Sequence, residues 1–193
     1  MFNDIVDFLA RNVVGFFILN LLLRFYLQLA RAPFAHPLAQ FSVKVTDFAV
    51  LPLRRVVPGI AGYDIATVLL AWLAALLMDT VLLLAWPINW ANVAVWSGFA
   101  MLALVEVLRF SLYLLFVAVL VQAILSWIHP DNPLSPILNL LTRPLLMPLR
   151  RLLPSIANID ISPLLLLFII ELLQRFVLES THAGVMAYIL SAR

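Results

Sequence analysis

PLRRVVPGIAGYDI, running from Pro52 to Ile65, returns as PLRRLLPSIANIDI from Pro148 to Ile161, 96 residues later and with nine of fourteen positions identical. Each copy sets two adjacent arginines between prolines and ends on Asp-Ile. Long apolar runs flank both. Sliding the chain by the same 96 residues also lays Thr46 on Thr142 and Pro37-Leu38 on Pro133-Leu134. The phrase therefore marks a tandem repeat, and the fold must accommodate the same basic turn twice.

The surroundings of the phrase are membrane-like. Of 193 residues, 65% are hydrophobic and 11% charged, and the mean hydropathy is +1.09. Soluble domains carry about 25% charge, so this composition leaves too little polar surface to cover a water-soluble globule. A net charge of +2 gives no nucleic-acid footprint, and the absence of cysteine excludes disulfides, thiolate metal sites and covalent haem attachment.

Spans need about 20 mostly apolar residues. Leu9–Ala30, Ile65–Trp86, Val107–Ile128 and Ile161–Leu178 qualify. The first resembles a signal peptide at Val13 to Leu23, but Asp4 and Asp7 precede it where a basic region would be needed, so it reads as a retained span. Between the second and third, Pro87 to Glu106 is apolar but interrupted by Pro87, Asn89, Asn92 and Gly98. Cytoplasmic loops accumulate Lys and Arg. Arg31, Lys44, Arg54 and Arg55 lie in one loop, Arg143, Arg150 and Arg151 in the other, and none between Pro87 and Val105. Both basic loops then share a side, which requires an even number of crossings between them.

These constraints predict an all-α integral membrane protein of two tandem parallel repeats, each transmembrane helix, amphipathic basic loop, transmembrane helix. Residues 1–87 form the first repeat, 88–105 an apolar interfacial connector on the outer side, and 106–193 the second repeat with a short tail. About four spans result.

The basic loops are mostly apolar between their charges. On a helix Asn139, Arg143 and Arg150 share one face while Ile137, Leu141 and Leu145 lie elsewhere, and Pro144 and Pro148 predict a break into two short pieces. Such a segment lies in the membrane interface with its arginines at the headgroups. Arg54, Arg55, Arg143, Arg150 and Arg151 are candidate lipid- or partner-binding residues; the plainer reading makes them topology signals alone. Gly59, Gly62, Ser155 and Asn158 supply turn chemistry. Asp64, Asp160 and Ser162 are candidate helix-start caps.

With these residues in view, the two phrases, and above all SWIHPDNPLSPILNLLTRPLLMPLRRLLPSIANIDISPLLLL (Ser126 to Leu167), resemble the YggT family of small bacterial membrane proteins with tandem YGGT repeats and plastid relatives. The first copy is looser, with Ile65-Ala66-Thr67 where the second has Ile161-Ser162-Pro163. The resemblance implies a non-enzymatic protein of the bacterial inner membrane, linked to osmotic or potassium stress, cell division or maturation of haem-containing complexes.

Charges inside the spans need partners. Asp79, Glu106, Arg109, Glu171 and Arg175 are candidates for an intramembrane pair or cluster, and the repeat offset makes Asp79 and Arg175 equivalent. An inter-repeat salt bridge, local pairing of Arg175 with Glu171 and Glu179, and an ion path are the alternatives. Arg24 reads as snorkelling inward. His36, His129 and His182 are scattered and read as interfacial loop residues, not metal ligands. No catalytic constellation or cofactor motif is visible. The expected partners are membrane lipids, with other membrane proteins or further copies of the chain possible and no nucleic acid. Two functions fit: a scaffold or assembly factor docking through cytoplasmic loops, or an oligomeric transport or ion-homeostasis protein.

Overall fold

A computed structural model describes residues 2–59, 63–84, 86–129, 132–152 and 160–192. Gly62, Ser155 and Asn158 lie outside the described residues. The described chain is helical from end to end: α1 (Phe2–Leu9), α2 (Gly15–Leu29), α3 (Pro37–Val56), α4 (Ile65–Leu83), α5 (Val93–Ile128), α6 (Ser135–Leu152), α7 (Ser162–Leu172) and α8 (Glu179–Ser191). A π turn at Ala10–Val14 fuses α1 to α2, and another at Leu173–Leu178 fuses α7 to α8.

Among the described residues, three helices are long and apolar enough to cross a membrane: Asp4–Leu29, Ile65–Leu83 and Val93–Ile128. The fourth, α7 through α8, is long enough but carries Glu171, Arg175 and Glu179, which set it apart from the other three. Residues 93–105, read from the sequence as an interfacial connector, are the first turns of α5 and continue without interruption into the third span. Asn92 caps that helix by accepting from the Ala94 N–H at 2.9 Å, and no proline follows to stop it. Only 86–92 remain as a turn. At 36 residues α5 is about 54 Å long, well beyond the ~30 Å hydrocarbon layer.

The expected break in the second basic loop is also absent. Pro144 and Pro148 lie inside the single helix α6, as Pro52 lies inside α3. All three prolines are exposed. The carbonyls they leave without an N–H partner therefore lie on an open face, where water or headgroups can satisfy them.

Packing sets the two ends of the bundle. Leu27 in the last turn of the first span and Ala32 just after it share a buried cluster with Ala39 of α3 and Ile137 and Leu141 of α6. Both basic helices thus sit at the same end. Leu83, Ile88, Val95, Phe99, Leu102, Val185 and Ile189 make a second cluster at the other end, where α4 finishes, α5 begins and α8 finishes. Gly98 allows the α5–α8 approach there, because a Cβ would stand 2.5 Å from Ile189 Cγ1. In the middle, α5 is the hub: α2 and α4 pack on it through Ile18, Leu21, Ala71, Ala75, Ala103 and Val107, and α6 and α7 through Val119, Leu146, Leu166 and Ile170. Among the described residues the backbone of the α7–α8 helix lies close to α5 and α6 but to neither α2 nor α4.

Candidate functional site

Each repeat builds its basic turn from two tethers. The first joins the basic helix to the preceding span through a fully buried threonine. Arg24, itself buried in α2, donates to Thr46 Oγ1 at 2.8 Å and to Asp47 Oδ1 at 2.7 Å. This is a correction to the snorkelling expected of Arg24. In the second repeat the equivalent Thr142 hydroxyl bonds Gln122 of α5, whose amide also donates to Asn139. The partner differs, and the buried threonine is the same.

The second tether is the repeated phrase itself. Arg54 bonds Asp64 through both Nε, at 3.2 Å, and Nη2. The equivalent Arg150 Nε donates to Asp160 Oδ2 at 2.7 Å. The first arginine of each PLRR thus clamps the end of the basic helix to the start of the next span. Asp64 also caps α4, accepting from the Thr67 N–H at 3.4 Å and from its hydroxyl. Asp160 accepts from the Ser162 N–H at 3.0 Å. Ser162 does not cap: it is the first residue of α7, whose N-cap position is Ile161 with no side-chain cap bond, and its N–H is held by Asp160 from one residue further out. Burial pushes the Asp64 carboxyl up, but hydrogen bonds from Arg54 and Thr67 outweigh it and leave it below the usual carboxylate range. Asp160 falls likewise, with burial opposed by Ser162 and Arg150. The hydrogen bond to Asp64 raises Arg54 in turn.

With Arg54 and Arg150 committed, Arg55, Arg143, Arg151 and Lys44 are the exposed cations of the two basic helices. On α3, Lys44 and Arg55 share one face with Phe41, Phe48 and Leu51, exposed by 48%, 74% and 50%. The opposite face, Ala39, Ser42, Thr46 and Val50, is buried. On α6, Arg143 shares its exposed face with Pro136, Asn139 and Met147. Two faces mixing basic and large apolar side chains therefore emerge at one end of the bundle.

A second polar feature lies inside the bundle. Buried Glu106 pairs with Arg109 at 3.0 Å, and His182 Nδ1 lies 3.3 Å from it without a hydrogen bond. Asp79 is buried within electrostatic reach of Glu106, Arg109 and Arg11, and its Oδ2 has no hydrogen-bond partner among the described residues. Arg109, Glu171, Gln174, Arg175, Glu179 and His182 line an open cleft of about 420 Å³ between α5 and the fourth helix. Of the five intramembrane charges named from the sequence, Arg109, Glu171 and Arg175 line this cleft, Glu106 joins it by pairing with Arg109, and Asp79 lies within electrostatic reach of Glu106 and Arg109 without a direct bridge to Arg175. Helix α5 packs against both α4 and the fourth helix, whose backbones do not pack against each other among the described residues. The expected local ladder is also missing: among the described residues neither Glu171 nor Glu179 pairs with Arg175 within 4.0 Å. The π turn at Leu173–Leu178 interrupts the α-helical register on which such pairs depend. A charge facing hydrocarbon costs roughly 2.5–3.5 kcal/mol. Sequence reasoning missed His182, which sits on α8 against Glu106 and not in a loop. Among the described residues no three His, Asp or Glu side chains converge as a metal site requires.

The two tethers at matched positions are the structural form of a duplicated unit, and the sequence matches the CCB3/YggT family twice, over residues 3–85 and 101–181. The chain belongs to the CCB3/YggT family. It is 34% identical over 182 residues to "Uncharacterized protein YggT" of Escherichia coli (strain K12), covering 92% of each chain. Against "Uncharacterized protein PA0392" of Pseudomonas aeruginosa it is 33% identical over 187 residues, covering 94% of this chain and 92% of the relative. A Vibrio alginolyticus relative, "Uncharacterized protein in proC 3'region", is 36% identical over 162 residues, 83% of this chain and 86% of the relative. No solved structure matches the chain. The family match leaves 86–100 between its two segments, where the turn and the first turns of α5 lie.

Proposed function

We propose that this YggT-family protein is a non-enzymatic scaffold or assembly factor of the bacterial inner membrane, with α3 and α6 on the cytoplasmic side. One observation carries the reading: both basic helices present exposed apolar–basic faces at the same end of the bundle. Phe41, Phe48, Leu51 and Met147 suit the acyl boundary, while Lys44, Arg55, Arg143 and Arg151 reach anionic headgroups or acidic partner surfaces. Each such cation contributes about 1 kcal/mol near an anionic leaflet. The positive-inside rule supports the orientation.

Photo-crosslinkers at Phe48 and Met147, in intact membranes, are expected to capture anionic lipids or a small reproducible set of membrane proteins. Neutralising Lys44, Arg55, Arg143 and Arg151 to Gln should reduce that capture. Capture that is unchanged by neutralisation, or equal to that from Leu77 on the α4 outer face, would refute the reading. The charged cleft beside α5 favours a second one, transport or ion homeostasis by an oligomer. A saturable potassium flux in liposomes, abolished by Asp79→Asn, would replace the scaffold with that alternative.

A further inference from the structure

The two repeats are not packed alike. The second span of the first repeat, α4, is covered by α2 and by α5. Its counterpart in the second repeat, α7–α8, rests on α5 with α6 at its foot, and among the described residues no first-span helix covers its other side. That open side carries Leu164, Phe168, Phe176 and Val177, each more than half exposed.

The same helix holds the charges that disqualify it as a lipid-facing span. It nevertheless crosses the whole bundle, because α7 starts beside the basic helices and Val185 and Ile189 lie in the cluster at the far end. Glu171, Arg175 and Glu179 are exposed and have no ion-pair partner among the described residues. Arg109, which also lines the cleft, is already paired with Glu106. That leaves one positive and two negative side chains, Arg175 between Glu171 and Glu179, unpaired within one copy. A cation flanked by two carboxylates is complementary to a second copy of the same row, each Arg175 meeting the other's carboxylates. Above it an apolar groove of about 430 Å³ continues along Ser97, Met101, Thr181, Gly184 and Tyr188. A Cβ at Gly184 would meet nothing within 4 Å, so another helix has room to approach there. Small residues at that position are what close helix contacts in membranes use.

We infer that a second copy of this chain covers the open side of α7–α8, about a two-fold axis along the membrane normal, with Arg175 of each copy set against Glu171 and Glu179 of the other. The interface is isologous and joins two fourth helices that neither copy can present to lipid alone. It does not depend on the lipid-docking role of α3 and α6, which lies at the bundle's end.

The chain has no cysteine, so single cysteines report cleanly. Thr181→Cys and Gly184→Cys, oxidised in native membranes, are expected to give a disulfide-linked species of twice 21.7 kDa. Leu77→Cys on α4 should stay monomeric. In the Thr181→Cys background Arg175→Glu places like charges together and should reduce the linked fraction about ten-fold or more. Co-expression with a copy carrying Glu171→Arg, Glu179→Arg and Thr181→Cys should restore linkage between the two. Should Arg175→Glu fail to reach the membrane, Arg175→Gln gives the same reading with a smaller loss. Monomers at both 181 and 184, linkage to a different protein, or linkage indifferent to the charge of residue 175 would each overturn the inference.

Discussion

Replacing Asp64 with Asn should destabilise the protein far more than replacing Asp160 with Asn, although the two residues hold the same place in the repeated phrase. Asparagine keeps the oxygen that accepts the backbone N–H of Thr67 or Ser162, so each change isolates the ion pair. The Asp64 side chain is 4% exposed and its partner Arg54 35%, while Asp160 and Arg150 are 40% and 48% exposed. Losing one partner of a buried pair costs about 3–5 kcal/mol. Arg54 remains partly solvated, which discounts the loss to roughly 2–3 kcal/mol. The exposed pair of the second repeat is worth about 0–1 kcal/mol. The measurement is a double-mutant cycle, Arg54→Gln with Asp64→Asn against Arg150→Gln with Asp160→Asn, on detergent-solubilised protein unfolded under tryptophan fluorescence. Coupling should be well above 1 kcal/mol in the first cycle and about 1 kcal/mol or less in the second. Acid adds a signed check. Both carboxyls are lowered on folding, so their contribution is present above the unfolded value of about 3.9 and is lost as pH falls through the lower folded values. The penalty for Asp64→Asn should therefore shrink below about pH 4. Equal coupling in the two repeats, or a penalty that grows in acid, would refute the reasoning.

Gly98→Val should drive a side chain into Ile189 and loosen the far end of the bundle by about 1–3 kcal/mol, with Ile189→Ala recovering most of the loss in thermal melts. Arg24→Met leaves Thr46 and Asp47 without their donor, and the same melts should record a cost of about 1–3 kcal/mol. Topology reporters fused after Arg55 and after Arg151 should read the same side of the membrane, and one at Asn92 the opposite side. Opposite readings at the two arginines would contradict the shared cluster of Ala39, Ile137 and Leu141.

The repeat was legible because it lies in one dimension: nine identities at a fixed offset need no structure to be seen. The residues of its clamp were legible too, but with separate roles, arginines for headgroups and aspartates for helix starts. That Arg54 and Asp64 meet is a fact of the turn between them. The continuous α5 was masked by Asn89, Asn92 and Gly98. Asn92 in fact starts the helix, and Gly98 serves a packing contact that sequence alone does not reveal. Prolines were over-read as breaks, since exposure of Pro144 and Pro148 lets the helix pass through them. The intramembrane charges were found by their cost in lipid, whereas their partners depended on which helices touch. His182 looked isolated because its carboxylate, Glu106, lies 76 residues away on another helix.

The Arg–Asp clamps close within ten residues of chain, and neither reaches into the other repeat. Everything the first turn needs has therefore been synthesised once Thr67 has emerged, long before the second copy of the phrase exists. Closing so short a loop sacrifices little chain freedom. The first half can accordingly fix the direction of α4 during insertion, and the second half arrives at a neighbour whose bend is already set.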